Sequence, residues 1–74
     1  MGEHTIEMRK WRDENENVYG VEKSARSNRW VVIRVNAGGN RKAAKQFALA
    51  GNPVAVQRLL DSVAEKSGWS EVPQ

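Results

Sequence analysis

The chain has 74 residues, enough for one small domain, with twelve Lys plus Arg against nine Asp plus Glu and a net charge of +3. A core of this size contributes about 3–5 kcal/mol net, so no deep catalytic cleft is expected. The chain has no cysteine and one histidine, His4, which removes disulfides, thiolate chemistry and histidine metal clusters from consideration.

Residues 1–17 are rich in charge and poorly patterned. Thr5-Ile6-Glu7-Met8 alternates like a short strand, and Asp13-Glu14-Asn15-Glu16-Asn17 reads as a loop. The segment is either a charged arm or an extra edge strand. Val18 to Lys23 has strand composition, and Ser24-Ala25-Arg26-Ser27-Asn28 supplies turn residues. Arg29 to Asn36 is the clearest strand, because Trp30, Val31, Val32, Ile33 and Val35 are all β-branched or aromatic. Ala37-Gly38-Gly39-Asn40 is a hairpin turn signal, since Gly and Asn accept positive φ. Arg41 to Phe47 returns as a third strand, with a helix as the open alternative.

The helix has the fullest set of signals. Asn52 is a good N-cap, and Pro53 occupies the first helical position, where its missing N–H costs nothing. Val56, Leu59, Leu60 and Val63 form one apolar stripe, and Gly68 stands where a C-terminal cap glycine belongs. Trp69 can fold back on the helix end, and 69–74 reads as a tail.

The expected fold is therefore α+β: a three-stranded antiparallel sheet over 18–68, packed on one face by a C-terminal helix (βββα). One helix covers one sheet face. Charge favours Val31, Ile33 and Val35 toward the helix and Trp30, Val32 and Arg34 on the open face, because that keeps Arg34 out of the core. A register slip of one residue would exchange the two faces. Val21 and Phe47 are the expected core partners.

The modest net charge hides a strong asymmetry. Residues 1–22 carry −3, residues 23–45 carry +7 with no acid, and residues 46–74 carry −1. A surface built only for solubility would mix the two signs. The basic block coincides with the expected sheet, which points to nucleic acid. The candidate DNA-binding residues are Lys23, Arg26, Arg29, Trp30, Arg34, Arg41, Lys42 and Lys45. Arginine suits guanine through two parallel hydrogen bonds, and the lysines and turn arginines suit phosphates. Trp30 either packs on sugars or a thymine methyl, or belongs to the core.

Enzyme constellations are weak by comparison. His4 reads as a solvated histidine, the acids at 13–16 as a solvated charge run, and Gly38-Gly39 as a turn rather than a phosphate cradle. No cofactor, metal or small-molecule substrate is expected, and the protein is read as not an enzyme. The longest apolar run, Trp30-Val31-Val32-Ile33, is too short to span a membrane. No apolar signal core stands at the N-terminus, so a cytoplasmic location is expected, on the nucleoid if the chain binds DNA.

Gly20-Val21, Ser27-Asn28-Arg29-Trp30-Val31-Val32-Ile33-Arg34-Val35-Asn36, Gly39-Asn40-Arg41-Lys42 and Phe47, followed by an amphipathic helix, resemble the pattern of sheet-type DNA readers. These are the APETALA/ethylene-response-factor domains and the N-terminal arm-binding domains of phage-type tyrosine recombinases (integrases). The resemblance covers about residues 19–66 and implies a three-stranded sheet in the major groove with one helix behind it. It implies DNA-facing roles for Arg29, Trp30, Arg34, Arg41 and Lys42, and core roles for Val31, Ile33, Val35 and Phe47. Residues 47–66, from Phe47-Ala48-Leu49-Ala50-Gly51-Asn52-Pro53 onward, are also faintly similar to ead-like early proteins of lambdoid phages, which implies a phage or mobile-element origin.

The leading expectation is a double-stranded DNA-binding module. The alternative is a small phage-encoded protein that binds and inhibits, or modulates, a host protein complex, with its basic face on an acidic partner.

Overall fold

The computed structural model describes residues 8–26, 28–47 and 52–73. Strands β1 (Trp11–Arg12), β2 (Val18–Lys23), β3 (Trp30–Val35) and β4 (Arg41–Ala43) precede helix α1 (Pro53–Ser67), and strand β5 (Ser70–Glu71) follows it. They form one antiparallel sheet in the order β4-β3-β2-β1-β5. The α+β class and the single helix match expectation, while the sheet has five strands rather than three. The two additional strands come from the segments read as an arm and as a tail. They are only two residues each, too short for a period-2 pattern to register in the sequence. His4 and most of the Thr5–Met8 alternation lie outside the described residues, as do Ala48–Gly51. Among the described residues, no helix is long and apolar enough to cross a membrane.

The turns follow local chemistry. Asn36 Oδ1 accepts from the backbone N–H groups of Gly38 (2.9 Å) and Asn40 (3.0 Å), and Gly39 takes φ 87°, which closes the β3–β4 hairpin. The β1–β2 turn is organised by Asp13. Its carboxylate accepts from Asn15 N (2.8 Å), Asn17 N (2.9 Å), Asn17 Nδ2 (3.0 Å) and the Tyr19 hydroxyl (2.9 Å). The charge run at 13–16 therefore contains one buried structural carboxylate among exposed ones.

Helix α1 begins and ends as its residues dictate. Asn52 Oδ1 accepts from Val54 N at 2.8 Å, and Pro53 stands in the first turn. At the other end Gly68 takes φ 75°, Gly68 N donates to Glu65 O, and Trp69 N donates to Ala64 O. This paired pattern is a Schellman cap, and it turns the chain sharply enough to return Trp69 to the sheet.

The buried side of the helix is rotated from the expected stripe. Val56, Gln57, Leu60 and Ala64 are buried, whereas Leu59 is 39% exposed. Gln57 explains the rotation. Its Nε2 donates to the Arg9 carbonyl (3.0 Å) and to Asp61 Oδ1 (2.9 Å), and Asp61 Oδ1 also accepts from Trp11 Nε1 (2.9 Å). A polar contact to the N-terminal segment thus takes a place that hydrophobic periodicity assigns to Leu59.

The core joins Trp11, Tyr19, Val21, Val32, Ala44 and Phe47 to Val56, Leu60 and Ala64. Val21 and Phe47 occupy their expected places. Tyr19 lies at the centre, with its ring stacked on Trp69 (centroids 4.3 Å, 16°) and edge-on to Phe47 (6.5 Å, 60°).

The sheet faces are the reverse of the expected ones. Val32, 1% exposed, belongs to the core, and Trp30 packs against that core. Arg34 shares this side, because it pairs directly with the buried Tyr19. Val31, Ile33 and Val35 therefore face away from the helix. The charge criterion failed for a physical reason: Arg34 stands near the end of β3, where a side chain can share the helix face and stay half-exposed.

Candidate nucleic-acid interface

The seven bases of residues 23–45 divide into two groups. Lys23 ends β2, and the β2–β3 turn carries Arg26 and Arg29, all three exposed. The turn closes through Ser24 N donating to Arg29 O (2.7 Å) and Asn28 N donating to Ser24 O (3.1 Å), with Asn28 at φ 55°. Arg34, Arg41 and Lys42 belong to the β3–β4 hairpin, and Lys45 follows it, exposed, in the next turn. Four residues of strand, about 13 Å, separate Trp30 beside the first group from Arg34 in the second.

Register brings two of these bases together. Arg34 of β3 is directly opposite Lys42 of β4. The flanking bonds, Asn36 N to Asn40 O (3.0 Å) and Ala44 N to Val32 O (2.8 Å), make this a hydrogen-bonded pair, with Cα atoms about 5.5 Å apart. Like charges directly opposite each other on one sheet face are destabilising.

Arg41 belongs to the other face, where its guanidinium pairs with Glu22 across β3. Among the described residues, Lys23, Arg26, Arg29, Arg34, Lys42 and Lys45 make no ion pair. Arg34 lies against the Tyr19 hydroxyl. Burial pushes the Tyr19 phenol above its usual range, the bonded Asp13 carboxylate adds to that rise, and Arg34 opposes it. For Asp13, burial raises the carboxyl, but the bonds from Asn17, Tyr19 and Asn15 outweigh it and hold it below its usual value.

The open sheet face is not the basic surface around an exposed tryptophan that the sequence suggests. Trp30 takes the core alternative. The face instead presents Val18, Val31, Ile33, Val35 and Ala43, with Val31 only 7% exposed. Cations reach it from outside the basic block. The Lys10 side chain lies over Gly20, with its Cγ 3.3 Å from where a Cβ would stand, and Arg12 pairs opposite Val18. Lys10 is hidden in the charge pattern because its segment is acidic on average, yet a glycine inside a strand is a recognisable sign of close approach by another chain segment.

Among the described residues, no three His, Cys, Asp or Glu side chains converge as a metal site would require. Comparison with protein-family models, with curated proteins and with solved structures gives no match.

Proposed function

We propose that the protein is a double-stranded DNA-binding module that uses the cations of β2–β4 and their turns. The observation that carries this reading is the Arg34–Lys42 pair: two cations directly opposite each other, with no carboxylate partner among the described residues. Such a pair costs stability in isolation, and a phosphate bound between the two side chains would offset that cost. A two-stranded ribbon such as β3–β4 fits the major groove, which is about 12 Å wide. Lys23, Arg26 and Arg29, at the far end of the same strands, would reach backbone phosphates and fix orientation.

The test is fluorescence anisotropy with a labelled duplex at several salt concentrations. Log affinity should fall linearly with log salt, with a slope of roughly −0.9 per phosphate contacted. Arg34→Ala with Lys42→Ala should weaken binding and flatten that slope. An unchanged slope in the double variant, or no duplex binding at low salt, refutes the proposal.

A further inference from the structure

The open sheet face carries a groove of about 490 Å³ that runs out to the edge of the sheet. Val31, Ile33 and Ala43 form its apolar floor, and Lys23, Arg26 and the Glu22-paired Arg41 stand around it. Its edge is β4, the terminal strand of the sheet among the described residues. Lys42 is the hydrogen-bonded partner of Arg34, so alternation turns the N–H and C=O groups of Arg41 and Ala43 away from β3, along the free edge.

We propose that this groove and the free edge of β4 together bind an extended acidic segment of a partner protein as an added strand. A residue opposite Ala43 would send its side chain over the floor toward Ile33, and a residue opposite Lys42 would lie on the cationic side of the edge. The matching sequence alternates apolar and acidic residues. Charge selects this occupant over a second copy of the chain: antiparallel pairing of β4 with itself, centred on its middle residue, sets Lys42 against Lys42, which repels. Among the described residues, the one carboxylate lining the groove, Glu22, is already neutralised by Arg41.

The experiment is an amide and methyl NMR titration of the full chain with a capped synthetic peptide alternating glutamate and leucine. A glutamine–leucine peptide and a single-stranded oligonucleotide serve as comparison probes. Shifts should concentrate at Arg41, Ala43, Val31 and Ile33. Lys42→Glu, at an exposed position on the side where the acidic residues lie, should weaken binding of the acidic peptide by roughly tenfold or more. Ala43→Pro removes the outward N–H while leaving the bonds to β3, so it should abolish binding without changing the amide pattern of β2 and α1. The proposal is overturned by an absence of shifts on β4, by equal affinity for the glutamine peptide, by tighter binding of the oligonucleotide at the same residues, or by full binding to a folded Ala43→Pro variant.

Discussion

Replacing Asp13 with alanine should unfold the protein more readily than any other change to the charged turn. The carboxylate accepts four hydrogen bonds, three from the turn and one from the buried Tyr19 hydroxyl. The turn donors can be rehydrated, so their loss resembles the loss of a helix cap, about 0.5–2 kcal/mol. The Tyr19 hydroxyl is buried, and leaving it unsatisfied costs about 1–3 kcal/mol. Together these give a loss of about 1.5–5 kcal/mol. A chain of 74 residues has a total stability on the order of 4–11 kcal/mol, so this is a large fraction of it. Urea unfolding followed by tryptophan fluorescence measures the loss directly, with Glu14→Ala on the same turn as the exposed control, expected within about 0.5 kcal/mol of the parent. Tyr19→Phe should cost about 1 kcal/mol, and combining it with Asp13→Ala should cost less than the sum, because no phenol is then left unsatisfied. If Asp13→Ala and Glu14→Ala lose the same amount, the turn is not held by this carboxylate.

Acid should act through the same group. The folded-state value for Asp13 is depressed, so the unfolded chain takes up the proton first. The stabilisation is present above the ordinary carboxylate value of about 4 and disappears as pH falls through the lower folded value. Asp13→Asn should flatten this part of the stability profile in urea titrations below about pH 4. Tyr19 is the only tyrosine, so ultraviolet absorbance reports its ionisation alone, and its midpoint should lie above about 10 and fall in Asp13→Asn. The linked stability is present below the unfolded phenol value and is lost as pH rises through the folded one. Leu60→Ala should cost about 2–5 kcal/mol while Leu59→Ala stays within about 0.5 kcal/mol, since Leu60 is fully buried and Leu59 faces solvent. Equal losses would restore the stripe expected from periodicity. Gly68→Ala should cost about 1–2 kcal/mol in thermal or urea unfolding, because φ 75° is strained for any residue with a Cβ, and no loss would mean that the helix end relaxes to another geometry.

Local chemistry was legible in the chain itself. The boundaries of β2, β3 and α1, the Asn36 turn and both helix caps follow from propensity, glycine placement and short-range hydrogen bonding, each acting over a few residues. What depends on contacts between distant residues was not legible. The two-residue strands β1 and β5 exist because the Schellman cap at Gly68 returns the chain beside an N-terminal segment that Gln57 and Asp61 hold in place. The helix turns Gln57 inward and Leu59 outward for the same reason.

The basic block shows the division most sharply. Seven bases between residues 23 and 45 are a property of the amino-acid order alone, and they direct attention to anionic partners. Which way those bases point was decided by the tertiary structure. Strand alternation allows two opposite assignments of the faces, and the packing of the buried side chains chooses between them. Tyr19 made that choice. Burying its ring between Trp69 and Phe47, with its hydroxyl on Asp13, places Tyr19 on the helix side and takes its neighbour Arg34 there too. Val18, Val31, Ile33 and Val35 are thereby left on the open face, with the groove beside Val31 and Ile33.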